Sequence, residues 1–139
     1  MAFSVFLDAN VILDHTLKRD GYINTRPLLQ QVIDGHLNAF TSPSIVHIVG
    51  YWLTKSYGSA KAREIILTLL TNVRVLELNH DITILTLHSK IIDIEDALQY
   101  YTALHHKVDS FISCDKKLKT LASTTLPVLT PEELLRRIG

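Results

Sequence analysis

Cysteine is almost absent from this 139-residue sequence: Cys114 stands alone, so no disulfide can close within the chain. That usage fits a reducing compartment. Glycine and proline are scarce, five and four residues, which excludes collagen-like and linker-rich organisation. Apolar residues make up 47% of the chain, yet no run approaches the roughly 20 that a bilayer-spanning helix needs. The opening MAFSVFLDAN carries no basic residue, and its apolar run stops at Asp8, too short for a secretory signal. Charge of one sign is also missing, because fourteen basic side chains balance fourteen acidic ones. Bulk electrostatics therefore names no partner, although a local basic patch suffices to hold phosphates. Neither G-x-G-x-x-G nor G-x-x-x-x-G-K-[ST] occurs, so no nucleotide-binding loop is signalled. These absences leave a soluble, cytoplasmic globular protein with no membrane partner, and the length suits a single domain over residues 1–139.

What is present alternates. Phe3 to Leu7 is a short apolar run and reads as a buried strand. Asn10 to Leu17 has helical spacing, and Tyr22 to His36 predicts a second helix with Pro27 in its first turn. Leu37 to Thr41 is a strand. Ser42-Pro43 opens a helix, Gly58 stops it, and Ser59 caps the next. The stretch VRVLEL, Val73 to Leu78, alternates like a strand, and a helix is expected from about Asp81 to Lys90. Ile94, Ala97, Leu98, Tyr101, Leu104 and Val108 then mark one buried helical face. Ser110 to Cys114 predicts a strand and Lys116 to Ala122 a short helix. Pro127 to Leu129 is a last strand, and Thr130-Pro131 begins a last helix. Strands alternating with helices argue for a three-layer α/β/α sandwich around a parallel sheet of about five strands.

Such a sheet ends all its strands on one edge, where open α/β folds place their sites. Asp8 follows the first strand and Asp115 the fourth, while Asp96 opens the helix that leads into the fourth. Three carboxylates thus converge on one edge. Asp109 begins the strand that Asp115 ends, so at about 3.3 Å per residue it lies roughly 17 Å away, at the opposite edge. Gathered carboxylates repel unless a cation sits between them, and hard divalent ions prefer oxygen ligands. Asn10 is placed to orient Asp8. Each carboxylate also has a plainer reading. Asp8 and Asp115 could only cap the helices that follow them, and Asp93 with Asp96 fits a capping frame.

The segments FLDANVILD, IEDALQYYTAL, DSFISCDKKL and VLTPEELL, in this order and spacing, resemble the PIN (PilT N-terminus) domain family, in particular VapC-like toxin ribonucleases. The resemblance covers essentially the whole chain. It implies a Mg2+- or Mn2+-dependent ribonuclease that hydrolyses RNA phosphodiester bonds, of the kind that serves as the toxin of a toxin–antitoxin pair with an antitoxin partner. Asp8, Asp96 and Asp115 match the family's acidic, metal-binding positions, and Ser113 its small hydroxyl residue near the site. One departure stands out. Where the family often carries a glutamate in the helix after the second strand, this chain has His47, which is either a poor magnesium ligand near the site or a packed core residue.

Lys116, Lys117 and Lys119 flank Asp115 and could hold an RNA backbone, or simply form a solvated helix face. The pair His105-His106 falls near a helix C-terminus, where the helix dipole favours positive charge. Tyr51, Trp52 and Tyr57 could be a homodimer face or core. Two other functions fit less of the pattern: a PIN-like domain that binds nucleic acid or a protein partner without cutting, and a small phosphohydrolase on a similar sheet. Metal-dependent cleavage of RNA separates them.

Overall fold

Val5, Phe6 and Leu7 are fully buried in succession, as in a strand covered on both faces. They belong to β1 (Phe3–Leu7), the middle strand of the sheet in the computed structural model, which describes residues 3–139. β2 (Leu37–Thr41) and β3 (Val73–Val75) lie on one side of β1, and β4 (Ser110–Ile112) and β5 (Val128–Leu129) on the other. The order is β3-β2-β1-β4-β5 and every pairing is parallel. Eight helices among the described residues cover the sheet: α1 (Ala9–Thr16), α2 (Tyr22–Ile33), α3 (Pro43–Tyr57), α4 (Ser59–Leu69), α5 (His80–Leu87), α6 (Ile94–His105), α7 (Lys116–Leu121) and α8 (Pro131–Ile138). The fold is the expected α/β/α sandwich.

The chain first builds outward from β1 through β2 and β3, then returns to β1's other flank for β4 and β5. The reversal makes the C-terminal ends of β1 and β4 the switch point of the sheet, the place where open α/β folds put their sites. Register fixes what meets there. Phe6 faces Phe111 across one interface and Phe40 across the other. Two residues further along, Asp8 therefore stands between Ser42 and Ser113. The Asp8 amide still donates to the Ile112 carbonyl at 3.1 Å. At the opposite edge, Asp109 Oδ2 accepts from both the amide and the hydroxyl of Ser4, at 2.8 and 2.9 Å. Asp109 thus ties the starts of β1 and β4 together.

Several local expectations shift. β3 ends at Val75 rather than Leu78, because its only neighbour, β2, stops at Thr41; Leu76 makes one last bond to the Thr41 carbonyl. Pro27 lies inside α2 rather than in its first turn. The carbonyl it leaves unbonded is that of Ile23, one turn earlier, and both residues are exposed. Ser59 does not cap α4; Gly58, at φ 85°, holds that position without a side-chain bond. The buried face of α6 is rotated from the expected one: Ala97, Gln99, Tyr100, Thr102 and Ala103 are buried, while Ile94 is 60% exposed.

The core is centred on the stacked rings of Phe6 and Phe111, 5.2 Å apart. Both are fully buried. Truncating Phe111 to alanine removes one ring of that pair and leaves a cavity under β4. Urea denaturation of Phe111→Ala should show a loss of about 3–5 kcal/mol.

Candidate active site

The strand ends supply the first carboxylate. Asp8 is the N-cap of α1, and its Oδ1 accepts from the Ala9 amide at 2.8 Å. Its Oδ2 accepts from the Ser113 hydroxyl at 2.7 Å. The same hydroxyl accepts from the Asp115 amide at 3.0 Å, so Ser113, itself buried, links Asp8 to Asp115. Asp115 in turn caps α7, its Oδ1 accepting from the Lys117 amide at 2.8 Å. Capping therefore occupies one oxygen of each carboxylate and leaves further lone pairs for a ligand.

Asp96 arrives from above the sheet, in the first turn of α6. Asp93 is the N-cap and accepts from the Asp96 amide at 2.9 Å. A capping box would need the Asp96 side chain to reach back to the Asp93 amide. The reciprocal bond is made in α8 by Thr130 and Glu133, but not here. Asp96 thus keeps its half-buried carboxylate free of local partners.

The charge of Asp115 bears on both Asp96 and Asp8, and that of Asp8 bears on Asp96. Partial burial, then the charges of Asp93, Asp115, Asp8 and Glu95, push the Asp96 carboxyl up to about 6. Burial also raises Asp8, with Asp115 adding to the shift, while the Ser113 hydroxyl and Ala9 amide oppose it. The edge carries more negative charge than its donors neutralise. That excess suits a hard divalent cation. Among the described residues, however, no three His, Cys, Asp or Glu side chains are arranged to hold a metal ion directly. The donor set fits an ion that takes one or two carboxylates and completes its shell with water, as magnesium does.

The remaining expected residues fall on both sides of the ledger. Asn10 does not orient Asp8: its side-chain oxygen and its carbonyl face the Arg19 guanidinium, at 3.4 and 3.2 Å, and Ser113 takes the role instead. Arg19 is also paired with Asp14 at 2.8 Å. Lys116 and Lys117 are exposed, but Lys119 is bound to Glu133 Oε1 at 2.5 Å. That bond pulls the Glu133 carboxyl down to about 2. His47 is exposed, so it is not a packed core residue. Tyr51, Trp52 and Tyr57 are about half exposed and likewise not core; the Lys55 ammonium lies 5.1 and 5.7 Å from the first two rings. His106, the C-cap of α6, contacts the Glu77 carbonyl through Nε2 at 2.8 Å, away from the carboxylates.

Gln99 is the residue the sequence reading missed. It is buried on α6 one turn after Asp96, where it meets Ser42 and Ser44 at the start of α3. A polar residue three positions after a candidate ligand, beside the buried Ala97, Tyr100 and Ala103, was the available signal.

A PIN domain family model matches residues 4–117. Among solved structures, a chain of the crystal structure of VapBC2 from Rickettsia felis bound to a DNA fragment from their promoter is similar over 91% of this chain and 97% of that one, at 16% identity and a TM-score of 0.69. PAE2754 from Pyrobaculum aerophilum is similar over 99% and 98%, at 19% identity and a TM-score of 0.64. No curated protein sequence matches the chain. At these identities the two structures establish likeness of fold.

The raised Asp96 carboxyl gives a signed pH dependence. The folded protein holds this proton more tightly than the unfolded chain does. In metal-free protein the group's contribution to stability is therefore greatest below the ordinary carboxyl value of 3.8 and is lost as pH rises through about 6. A cation held by this carboxylate would displace the same proton. Mn2+ titration calorimetry should show affinity rising about tenfold from pH 5 to pH 7, the change in the ionised fraction of a single group with this pKa. In Asp96→Asn this rise should be largely lost.

Proposed function

The chain belongs to the PIN domain family, and we propose from its carboxylate edge that it is a divalent-metal-dependent endoribonuclease, with residues 1–139 acting as one unit. The observation that carries the reading is the Asp96 carboxyl. Burial and then Asp93 raise it most, and the charges of Asp115 and Asp8, distant in sequence, raise it further, while the Ser113 hydroxyl bonds both the Asp8 carboxylate and the Asp115 amide. A structural cap has no need of such crowding, whereas a cation site does.

Asp8, Asp96 and Asp115 are the proposed metal-binding and catalytic residues, one or two of them as direct ligands and the rest through water of the ion's shell, and the Ser113 hydroxyl holds Asp8 Oδ2. Bound Mg2+ or Mn2+ would polarise a phosphoryl oxygen and ease deprotonation of the attacking water. Lys116 and Lys117 stand exposed beside Asp115 and are placed to bind backbone phosphates. Lys119 contributes less, since Glu133 already holds its charge.

VapBC2, the relative from Rickettsia felis, is described bound to promoter DNA. By that likeness we extend the proposal to a toxin of a toxin–antitoxin pair whose partner is an antitoxin protein. A groove of about 480 Å³ between α2 and α4, rimmed by Lys18, Arg26 and Lys61, offers an acidic, partly apolar segment a surface to cover. The exposed rings of Tyr51 and Trp52 offer a second copy of the chain a contact face. Among the described residues no helix is long and apolar enough to cross a membrane.

The test pairs the two edges of the sheet. Incubated with RNA and Mg2+ or Mn2+, Asp96→Asn should lose cleavage by at least about a hundredfold while keeping its circular dichroism, in the range by which key catalytic groups act. Asp109→Asn, whose carboxylate ties Ser4 at the opposite edge, should cleave at nearly the wild-type rate. Metal-independent RNA binding without cleavage by the wild-type protein would favour a binding domain instead.

His47 bears on metal preference. Because it is exposed, His47→Glu adds a carboxylate without a burial cost. If it faces the metal, the substitution should lower the Mg2+ concentration for half-maximal cleavage, with stability changed by less than about 0.5 kcal/mol. An unchanged Mg2+ dependence places residue 47 outside the site.

A further inference from the structure

Gln99 is 3% exposed and Ser42 2%. A primary amide buried this deeply costs free energy unless its polar atoms find partners. Here Oε1 accepts from the Ser42 hydroxyl at 2.5 Å, and Nε2 donates to the Ser44 hydroxyl. Ser42 is also the N-cap of α3, where its oxygen accepts from the Ile45 amide at 3.3 Å. A continuous polar chain thus runs from the first turn of α3 into the middle of α6.

Both ends of this chain sit beside proposed metal ligands. Ser42 follows β2, in the row next to Asp8 by sheet register. Gln99 follows Asp96 by three residues, which puts the two on neighbouring positions of one helix side. Apolar contact would press α6 onto α3 without fixing its position, because the hydrophobic effect is non-directional. Two directed hydrogen bonds fix it.

We propose that Gln99 is a positioning residue, whose amide clamps α6 to the N-terminus of α3 and so holds Asp96 over Asp8. The inference rests on the metal-site reading above. It assigns to Gln99 no contact with metal or RNA.

Thr102 supplies the control. It is as buried as Gln99, at 1%, but its hydroxyl bonds only the Leu98 carbonyl within its own helix, at 2.7 Å. Gln99→Met keeps length and helix propensity and removes the clamp. Thr102→Val perturbs α6 without touching α3. Ser44→Ala, at a half-buried position, breaks one side of the clamp and serves should Gln99→Met fail to fold.

Two readouts are compared, each corrected for global stability measured in urea: amide hydrogen exchange at Asp96 and Ala97 in metal-free protein, and Mn2+ affinity by calorimetry. Gln99→Met should speed exchange at both amides and weaken Mn2+ binding, each by about tenfold or more, the scale set by two lost hydrogen bonds. Ser44→Ala should move both in the same direction. The double variant should be no worse than Gln99→Met alone, as expected of two residues in one network. Thr102→Val should leave both readouts at the wild-type value. Wild-type behaviour in Gln99→Met, or the same losses in Thr102→Val, overturns the proposal. If wild-type protein binds no Mn2+, the metal-site reading falls, and the exchange arm alone upholds or overturns the clamp.

Discussion

Carboxylates at the dry end of a parallel sheet repel one another, and the architecture around that edge is arranged to bear the repulsion. Asp8 leans on the Ser113 hydroxyl and the Ala9 amide, Asp115 on the Lys117 amide, and Asp93 on the Asp96 amide. Three of those four donors are backbone amides of helix first turns, where the partial positive charge of a helix is concentrated. The N-termini of α1, α6 and α7 therefore meet at the place where negative charge is densest. The Asp96 carboxylate is the member that accepts from no donor, and burial together with the neighbouring charges raises its proton affinity.

The same constraint explains why capping and ligand roles do not exclude each other here. A carboxylate has four lone-pair sites, and a cap uses one. Asp8 and Asp115 spend that one on a helix amide at the strand ends. Asp109 shows the contrast. Its Oδ2 takes both donors of Ser4, and the bonds join the starts of two strands.

Much of this was legible in the sequence because it follows from strand ends. A buried apolar run closed by aspartate locates Asp8 and Asp115, and alternation of elements locates the edge. What escaped was decided by tertiary pairing. The last residues of VRVLEL have strand character but no strand beside them, since β2 ends at Thr41. Asn10 and Lys119 found partners, Arg19 and Glu133, that no local spacing announces. The face of α6 was misjudged because its buried side carries Gln99, Tyr100 and Thr102, whose polar groups are satisfied by Ser42, the Leu126 carbonyl and the Leu98 carbonyl. A hydrophobic periodicity cannot register a polar residue whose partners come from another element.

β1 and β4 are clasped at both ends, by Ser4 with Asp109 and by Asp8 with Ser113, and each clasp spans 105 residues of chain. Contacts this distant in sequence form only after the intervening chain has been made and ordered. During synthesis, which proceeds from the N-terminus, Asp8 is therefore exposed early as an ordinary surface carboxylate. The assembled edge exists only once β4 has left the ribosome. Until then a growing polypeptide of this kind stands beside the translation machinery without the arrangement that the folded domain carries.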